Sequence, residues 1–189
     1  PGVKELIGRG VSSCAPCDAP FFKGKNVVVV GGGDSAMEET ATLAKYATHV
    51  TVIHRRDTFR ATAATQKKAL SSPNVSVLYN TEVVEVVGTQ KLEKLILKNS
   101  KDATRRELSV DGLFVAIGHI PSTTIYSGQI ELEATGYVVV KENTKTNIPG
   151  VFVAGDVHDT HYRQAITAAG FGCMAGMDAI KYLGELKIQ

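Results

Sequence analysis

The sequence predicts an α/β protein: a parallel sheet with crossover helices, an antiparallel β-meander, and then a second segment that ends in a long helix. Three observations carry this. Val27 to Val30 is a short β-branched run that stops at Gly31-Gly32-Gly33 and passes straight into a helical pattern at Asp34-Ser35-Ala36. A strand, helix, strand, helix succession then extends to about residue 71, the order that builds parallel sheets with right-handed crossovers. From residue 75 to 118 short alternating segments and polar turns replace it, which argues antiparallel pairing.

Taken in order, residues 1–25 are a polar lead-in holding Cys14-Ala15-Pro16-Cys17-Asp18 and a turn at Phe21 to Lys25. Pro16 fixes its own φ and stiffens the loop, which would also suit a helix start. Residues 34–47 offer Ala36, Met37, Ala41, Leu43, Ala44 and Ala47 for packing on a sheet, with Glu38 and Glu39 near the positive end of the helix. His49 to Ile53 is the second strand, and a second helix over 60–71 ends at Ser71-Ser72-Pro73. The meander is assigned Val75 to Tyr79, Val83 to Val87, Leu92 to Lys98, Leu108 to Val110 and Leu113 to Ile117, with Lys101 to Arg106 as a solvated hairpin tip. Gly118 to Ser122 reads as a boundary, so the organisation expected is a domain over 1–117, a hinge at 118–122 and a segment over 123–189. That last segment holds Gly136 to Val140, Val151 to Asp156, and a helix from about Arg163 to Leu183 with a small-residue face. Small side chains admit a ligand or a neighbouring backbone, and packing on a sheet explains them equally well.

Composition narrows the classes. The chain has 189 residues, 43% hydrophobic content and a formal charge of +2, ordinary for a soluble globular protein and no argument for nucleic acid or a membrane surface. No apolar run approaches the ~18–20 residues of a membrane span, and Pro1 to Glu5 is no signal peptide, so a cytoplasmic protein is expected. Three cysteines, one unpaired, do not make an extracellular disulfide scaffold. Cys173, remote and solitary, is expected to be a small buried filler.

The chemistry resides in three places. Gly31, Gly33 and Ala36 match the dinucleotide-binding form G-x-G-x-x-A of a Rossmann-like fold, in which helix amides and dipole face a pyrophosphate. The second strand ends in His54-Arg55-Arg56, with Arg60 beyond. An acid at that strand end bonds a ribose 2′-hydroxyl, whereas arginine suits a 2′-phosphate, so NADPH is expected over NADH. Alternatively the arginines form only a solvated basic turn. Cys14 and Cys17, spaced C-x-x-C, suggest a dithiol redox pair. Half a zinc site is the competing reading, but no second pair follows at zinc spacing.

Together these motifs resemble the low-molecular-weight, bacterial-type thioredoxin reductases, among the pyridine nucleotide-disulfide oxidoreductases. C-x-x-C-D precedes V-V-V-G-G-G-D-S-A and V-T-V-I-H-R-R; Phe114 to Pro121, Gly150 to Val157 and Tyr162 to Ala165 continue the likeness in the same order, over essentially the whole chain. The resemblance implies electron flow from NADPH to FAD, to the Cys14–Cys17 disulfide, to thioredoxin. It makes Asp18 the acid that manages thiol protons, and Gly31, Gly33, Asp34, Ser35 and Ala36 the pyrophosphate turn. His54, Arg55, Arg56 and Arg60 match the 2′-phosphate side, with Ile117 and Gly118 also against the cofactors. Gly155 and Asp156 match the segment that holds the FAD ribityl chain, and Arg163, Gln164 and Ala165 the residues beside the flavin. A homodimer and a domain rotation between two conformations are implied as well. Ala19 stands where glycine is usual and Pro16 is not the commonest choice; both alter loop flexibility and leave the chemistry in place. The N-terminal half of the FAD domain is absent, so a fragment of a longer enzyme is expected. The alternatives are a related flavoprotein that reduces a peroxidase partner, and a non-catalytic NADPH-binding module.

Overall fold

In the computed structural model, which describes residues 1–186, the valine run forms the central strand of a parallel sheet. The strands are β1 (Val11–Ser12), β2 (Asn26–Gly31), β3 (His49–Ile53), β4 (Val75–Leu78) and β8 (Gly112–Ala116), in the order β1-β8-β2-β3-β4. Every pair is parallel. β2 is apolar without alternation because both of its faces are covered. Val27 and Val29 pack with the helices, and Val28 packs on the opposite side.

On one face lie α1 (Ala15–Asp18), α2 (Asp34–Leu43) and α3 (Ala63–Leu70), which bury Ala15, Ala36, Met37, Leu43 and Ala69 against Val27, Val29, Val50, Val52 and Phe114. On the other lies a three-stranded antiparallel sheet, β5 (Thr81–Gly88), β6 (Leu92–Asn99) and β7 (Arg105–Ser109), which buries Val86, Leu92, Leu95 and Leu97 against Val28, Ile53 and Leu113. The layers are therefore helix, parallel sheet, antiparallel sheet.

Several expected boundaries change. Val75 to Tyr79 and Leu113 to Ile117 are expected in the meander, but β4 pairs with β3 and β8 slots between β1 and β2, with Val27 against Gly112 and Gly31 against Ala116. The reason is burial: Leu113 faces one core and Phe114 the other, which only an inner strand allows. Arg105 and Arg106, expected in a hairpin tip, belong to β7. α3 starts at Ala63 rather than 60 because Arg60 and Ala61 give their N–H groups to the Gly32 carbonyl at 2.8 and 3.1 Å. Thr62 then caps the helix by accepting from the Thr65 N–H.

The chain divides into two units, Pro1–Gly118 and the residues from His119 onward. In the second, residues 136–140 and 151–153 contribute isolated bridges, Leu132 to Val138 and Lys145 to Phe152, rather than a ladder. α4 (Ala165–Leu186) is tied to this framework by the fully buried Thr144, whose hydroxyl donates to Asp178 at 2.6 Å, and by an edge-on contact of Phe152 with Tyr182. The helix cannot begin at Arg163, whose φ is +49°. Cys173, expected to be buried, is exposed on α4. Among the described residues no helix is long and apolar enough to cross a membrane.

Phe114 has no exposed surface, and its ring meets Phe22 edge-on at 5.1 Å. Phe114→Ala is expected to cost about 3–5 kcal/mol, because it opens a cavity in the core between the helices and the parallel sheet. Urea unfolding should show a lower midpoint with an unchanged m-value.

Candidate functional site

The turn after β2 opens onto a cavity of about 560 Å³. Gly31 to Gly33 and Ser35 form one wall, His54, Arg55, Arg56 and Arg60 another, and Ala116, Ile117 and Gly118 the inner end. Thr81 to Val83 close it from β5, a contribution that no local motif announces.

Each glycine of the turn has its own reason. A Cβ on Gly31 would strike the Ala116 carbonyl oxygen and stand 2.7 Å from the Ala36 Cβ, so Gly31 and the small Ala36 let β2, β8 and α2 close on one another. A Cβ on Gly32 would fall on the His54 imidazole. Gly33 meets nothing within 4 Å, so the backbone there is open to a ligand. The glycine motif gives Gly32 no role, because its constraint comes from a residue 22 positions away.

Asp34 does not line the cavity. Its Oδ1 accepts from the Thr62 N–H at 2.9 Å, the Thr62 hydroxyl at 3.0 Å and the Thr65 hydroxyl at 2.6 Å. The Thr65 hydroxyl, followed by the Thr62 N–H, holds this carboxyl below its usual range. Asp34 thereby ties the start of α2 to the start of α3 and sets the loop that carries Arg60. His54 is buried against Phe59, and its Nε2 has no hydrogen-bond partner among the described residues. Arg55, Arg56 and Arg60 are exposed, and among the described residues no carboxylate pairs with them.

Cys14 and Cys17 form a disulfide, with Cα atoms 5.3 Å apart. The bridge sits at the start of α1, where Pro16 occupies the first turn, the Cys14 N–H donates to the Ser12 hydroxyl at 3.0 Å, and the Cys17 and Asp18 N–H groups point to the Cys14 carbonyl. Asp18 is half-buried and, with Ser12, Arg9, Phe21 and Lys25, borders a groove of about 360 Å³. Phe21 stands in this groove with 74% of its surface exposed.

One group carries no motif beyond its place near the helix start. Glu39 on α2 is half-buried, its shielded Oε2 has no partner among the described residues, and burial pushes its carboxyl up to about 7. Periodicity could have suggested it, since Glu39 borders the apolar stripe Ala36, Met37, Thr40 and Leu43.

In the second unit Gly155, at φ +77°, opens a short 3-10 turn, Gly155–Val157, and presents the exposed Asp156. The buried Asp159 organises the segment leading into α4. Its carboxylate accepts from the N–H groups of His161 at 2.9 Å, Tyr162 at 2.8 Å and Arg163 at 2.8 Å, and from the Thr167 hydroxyl at 3.3 Å. Burial pushes this carboxyl up, but those donors together outweigh it and hold it below the usual range. Arg163 keeps its left-handed backbone under that clamp, and its guanidinium donates to the Tyr137 hydroxyl and the Thr160 carbonyl. The Gln164 N–H donates to the Thr167 hydroxyl, and Ala165 is the first residue of α4.

A glycine crevice at the carboxyl end of a parallel sheet, with a C-x-x-C disulfide on the same unit, marks a class of nucleotide-linked disulfide enzymes. The chain belongs to the pyridine nucleotide-disulphide oxidoreductase family, whose profile matches residues 1–172. It is 52% identical over 182 residues to the thioredoxin reductase of Streptomyces clavuligerus, covering 96% of this chain and 56% of that protein. With thioredoxin reductase 2 of Arabidopsis thaliana it shares 54% identity, over 96% of this chain and 49% of the other. The crystal structure of thioredoxin reductase from Streptococcus pyogenes superposes with a TM-score of 0.91 at 35% identity, over 98% of this chain and 61% of that one. The thioredoxin reductase of Giardia duodenalis gives 0.85 at 43% identity, over 97% and 60%. The chain thus spans about half to three fifths of the length of these relatives.

Glu39 gives a testable pH dependence. Its folded value, about 7, lies above the ordinary 4.5, so its contribution is fully present below pH 4.5 and is lost as pH rises through 7. Against the non-titrating Glu39→Gln, the native chain should lose about 2–3 kcal/mol over that window. Urea unfolding at pH 4.5, 6 and 8 checks this; parallel pH profiles for the two proteins would contradict it.

Proposed function

We propose that this chain is part of an NADPH-dependent thioredoxin-disulfide reductase. The observation that carries the reading is the pairing, within one unit, of the arginine-lined glycine cavity with the Cys14–Cys17 disulfide. The names and identities of the relatives support it.

Gly31 to Gly33 and the α2 N-terminus bind the NADPH pyrophosphate: Gly33 leaves room for close approach, and the first-turn amides supply donors. Arg55, Arg56 and Arg60 bind the 2′-phosphate, which planar guanidinium groups match with paired charge-assisted bonds. Asp34 acts one step back, fixing the loop on which Arg60 stands. Ile117 and Gly118 border the inner end.

FAD, when bound, supplies the two-electron relay between nicotinamide and disulfide. Asp156, exposed and without a hydrogen-bond partner among the described residues, would hold the ribityl hydroxyls, and Arg163, Gln164 and Ala165 would contribute to the flavin's surroundings. In this reading the rest of the flavin site would come from the length of the relatives that this chain does not span, and would cover the exposed Ile166, Met177 and Ile180 of α4.

Reduction of the Cys14–Cys17 bond gives a dithiol. One thiolate attacks the thioredoxin disulfide, the other cysteine resolves the mixed disulfide, and Asp18 holds the proton that the departing sulfur takes. Thioredoxin meets the groove at Phe21, where an exposed aromatic and the Arg9 and Lys25 cations border the disulfide-bearing segment. The enzyme works as a homodimer in the cytoplasm, where dithiols stay reduced.

Arg55→Ala with Arg56→Ala should weaken NADPH binding about a hundredfold or more, since the two charge-assisted bonds lost are worth about 1.5–3 kcal/mol each, and leave NADH nearly unchanged. Calorimetric titration of both nucleotides decides it, and an equal loss for both defeats the 2′-phosphate assignment. In the full-length enzyme Cys17→Ser should abolish NADPH-driven reduction of a thioredoxin; retained turnover would overturn the mechanism.

A further inference from the structure

Three helices lie side by side on one face of the parallel sheet, and α2 packs against both α1 and α3. Asp34 marks the flank of α2 that meets α3, through its bonds to Thr62 and Thr65. At 100° per residue Glu39 is about 140° away from Asp34, across the buried stripe of Ala36, Met37, Thr40 and Leu43. Glu39 therefore stands on the other flank, the one nearer α1, the helix that carries Cys17. Its Oε2 is shut off from water and accepts no hydrogen bond from the described residues.

We propose that Glu39 is a positioning residue for the redox pair: a buried carboxyl behind α1 whose charge state controls how readily Cys14 and Cys17 yield a thiolate. The inference rests on the dithiol reading above and adds a residue to it. Reducing the disulfide breaks the S–S bond, takes up two electrons, and gives two thiols once two protons are bound. NADPH supplies the electron pair and one proton in the proposed enzyme, and solvent supplies the second. For exchange, one thiol must then release its proton. An ionised Glu39 opposes the new thiolate by like-charge repulsion from its shielded Oε2, and a neutral Glu39 does not.

Few other charges compete at this interface. The charged side chain of α1 is Asp18, while the 3-10 turn Ala19–Phe22 and the strands β2 and β8 carry none. Lys67 and Lys68 belong to α3, on the far flank, and His49 starts β3. Glu38 and Asp34, on α2 itself, are exposed to solvent. The raised carboxyl of Glu39 means that it changes charge close to neutral pH, where the thiols also begin to ionise.

The test uses the 189-residue chain with Cys173→Ala as background, reduced with a phosphine, and follows iodoacetamide alkylation of the remaining thiols from pH 5.5 to 9.5. With Glu39 present the rate profile should show a second ionisation close to pH 7. Glu39→Gln should remove it and raise the rate at pH 8 about three- to tenfold, the effect of half to one pKa unit on the thiol. Glu39→Met, also uncharged and of similar length, should behave the same way and guards against a folding defect in either variant. Superimposable profiles for the three proteins overturn the proposal. Because no nucleotide or flavin enters the assay, that result would leave the reductase assignment standing, and loss of NADPH-driven turnover elsewhere would leave the thiol coupling standing.

Discussion

The close approach of β2, β8 and α2 at Gly31 is the constraint on which the first unit depends. The Ala116 carbonyl and the Ala36 methyl occupy the space a side chain would need, so the parallel sheet, the helix above it and the crevice at its carboxyl end exist together or not at all. The same closeness brings Ile117 and Gly118, which follow β8, to the inner end of the cavity that β2 and β3 begin. The site is thus assembled by packing around one missing Cβ, with its electrostatics added by arginines from the next loop.

The first unit places its two chemistries on one layer. The nucleotide crevice opens at the start of α2, and the disulfide is carried by α1, the neighbour of α2 on the same face. A helix shared in this way transmits charge as well as shape. At one flank the Asp34 Oδ1 accepts three hydrogen bonds from Thr62 and Thr65; at the other, the Glu39 Oε2 is desolvated and has no partner among the described residues. Two carboxylates five residues apart are therefore driven in opposite directions, the first toward ionisation and the second toward the neutral acid.

The second unit solves a different problem, the start of a long helix after an unfavourable backbone. Asp159 gathers three consecutive N–H groups and a threonine hydroxyl, which holds Arg163 in a left-handed conformation that arginine rarely adopts. This is a cap built from a buried carboxylate, and its low proton affinity follows from the donors it collects.

By itself the sequence determined the strand–turn–helix at residues 26–36, the layer order of sheet and crossover helices, the paired cysteines and the basic strand end. These are local, written in runs of valine, glycine spacing and side-chain type. Tertiary structure alone decided which strands join the parallel sheet, since Gly112–Ala116 is parallel only because it lies between two partners from earlier in the chain. It also decided that Gly32 must clear His54, that Cys173 faces outward and that the Glu39 Oε2 is shielded from water. Each of these depends on what stands opposite a residue in space, and neither a residue's type nor its neighbours along the chain report that.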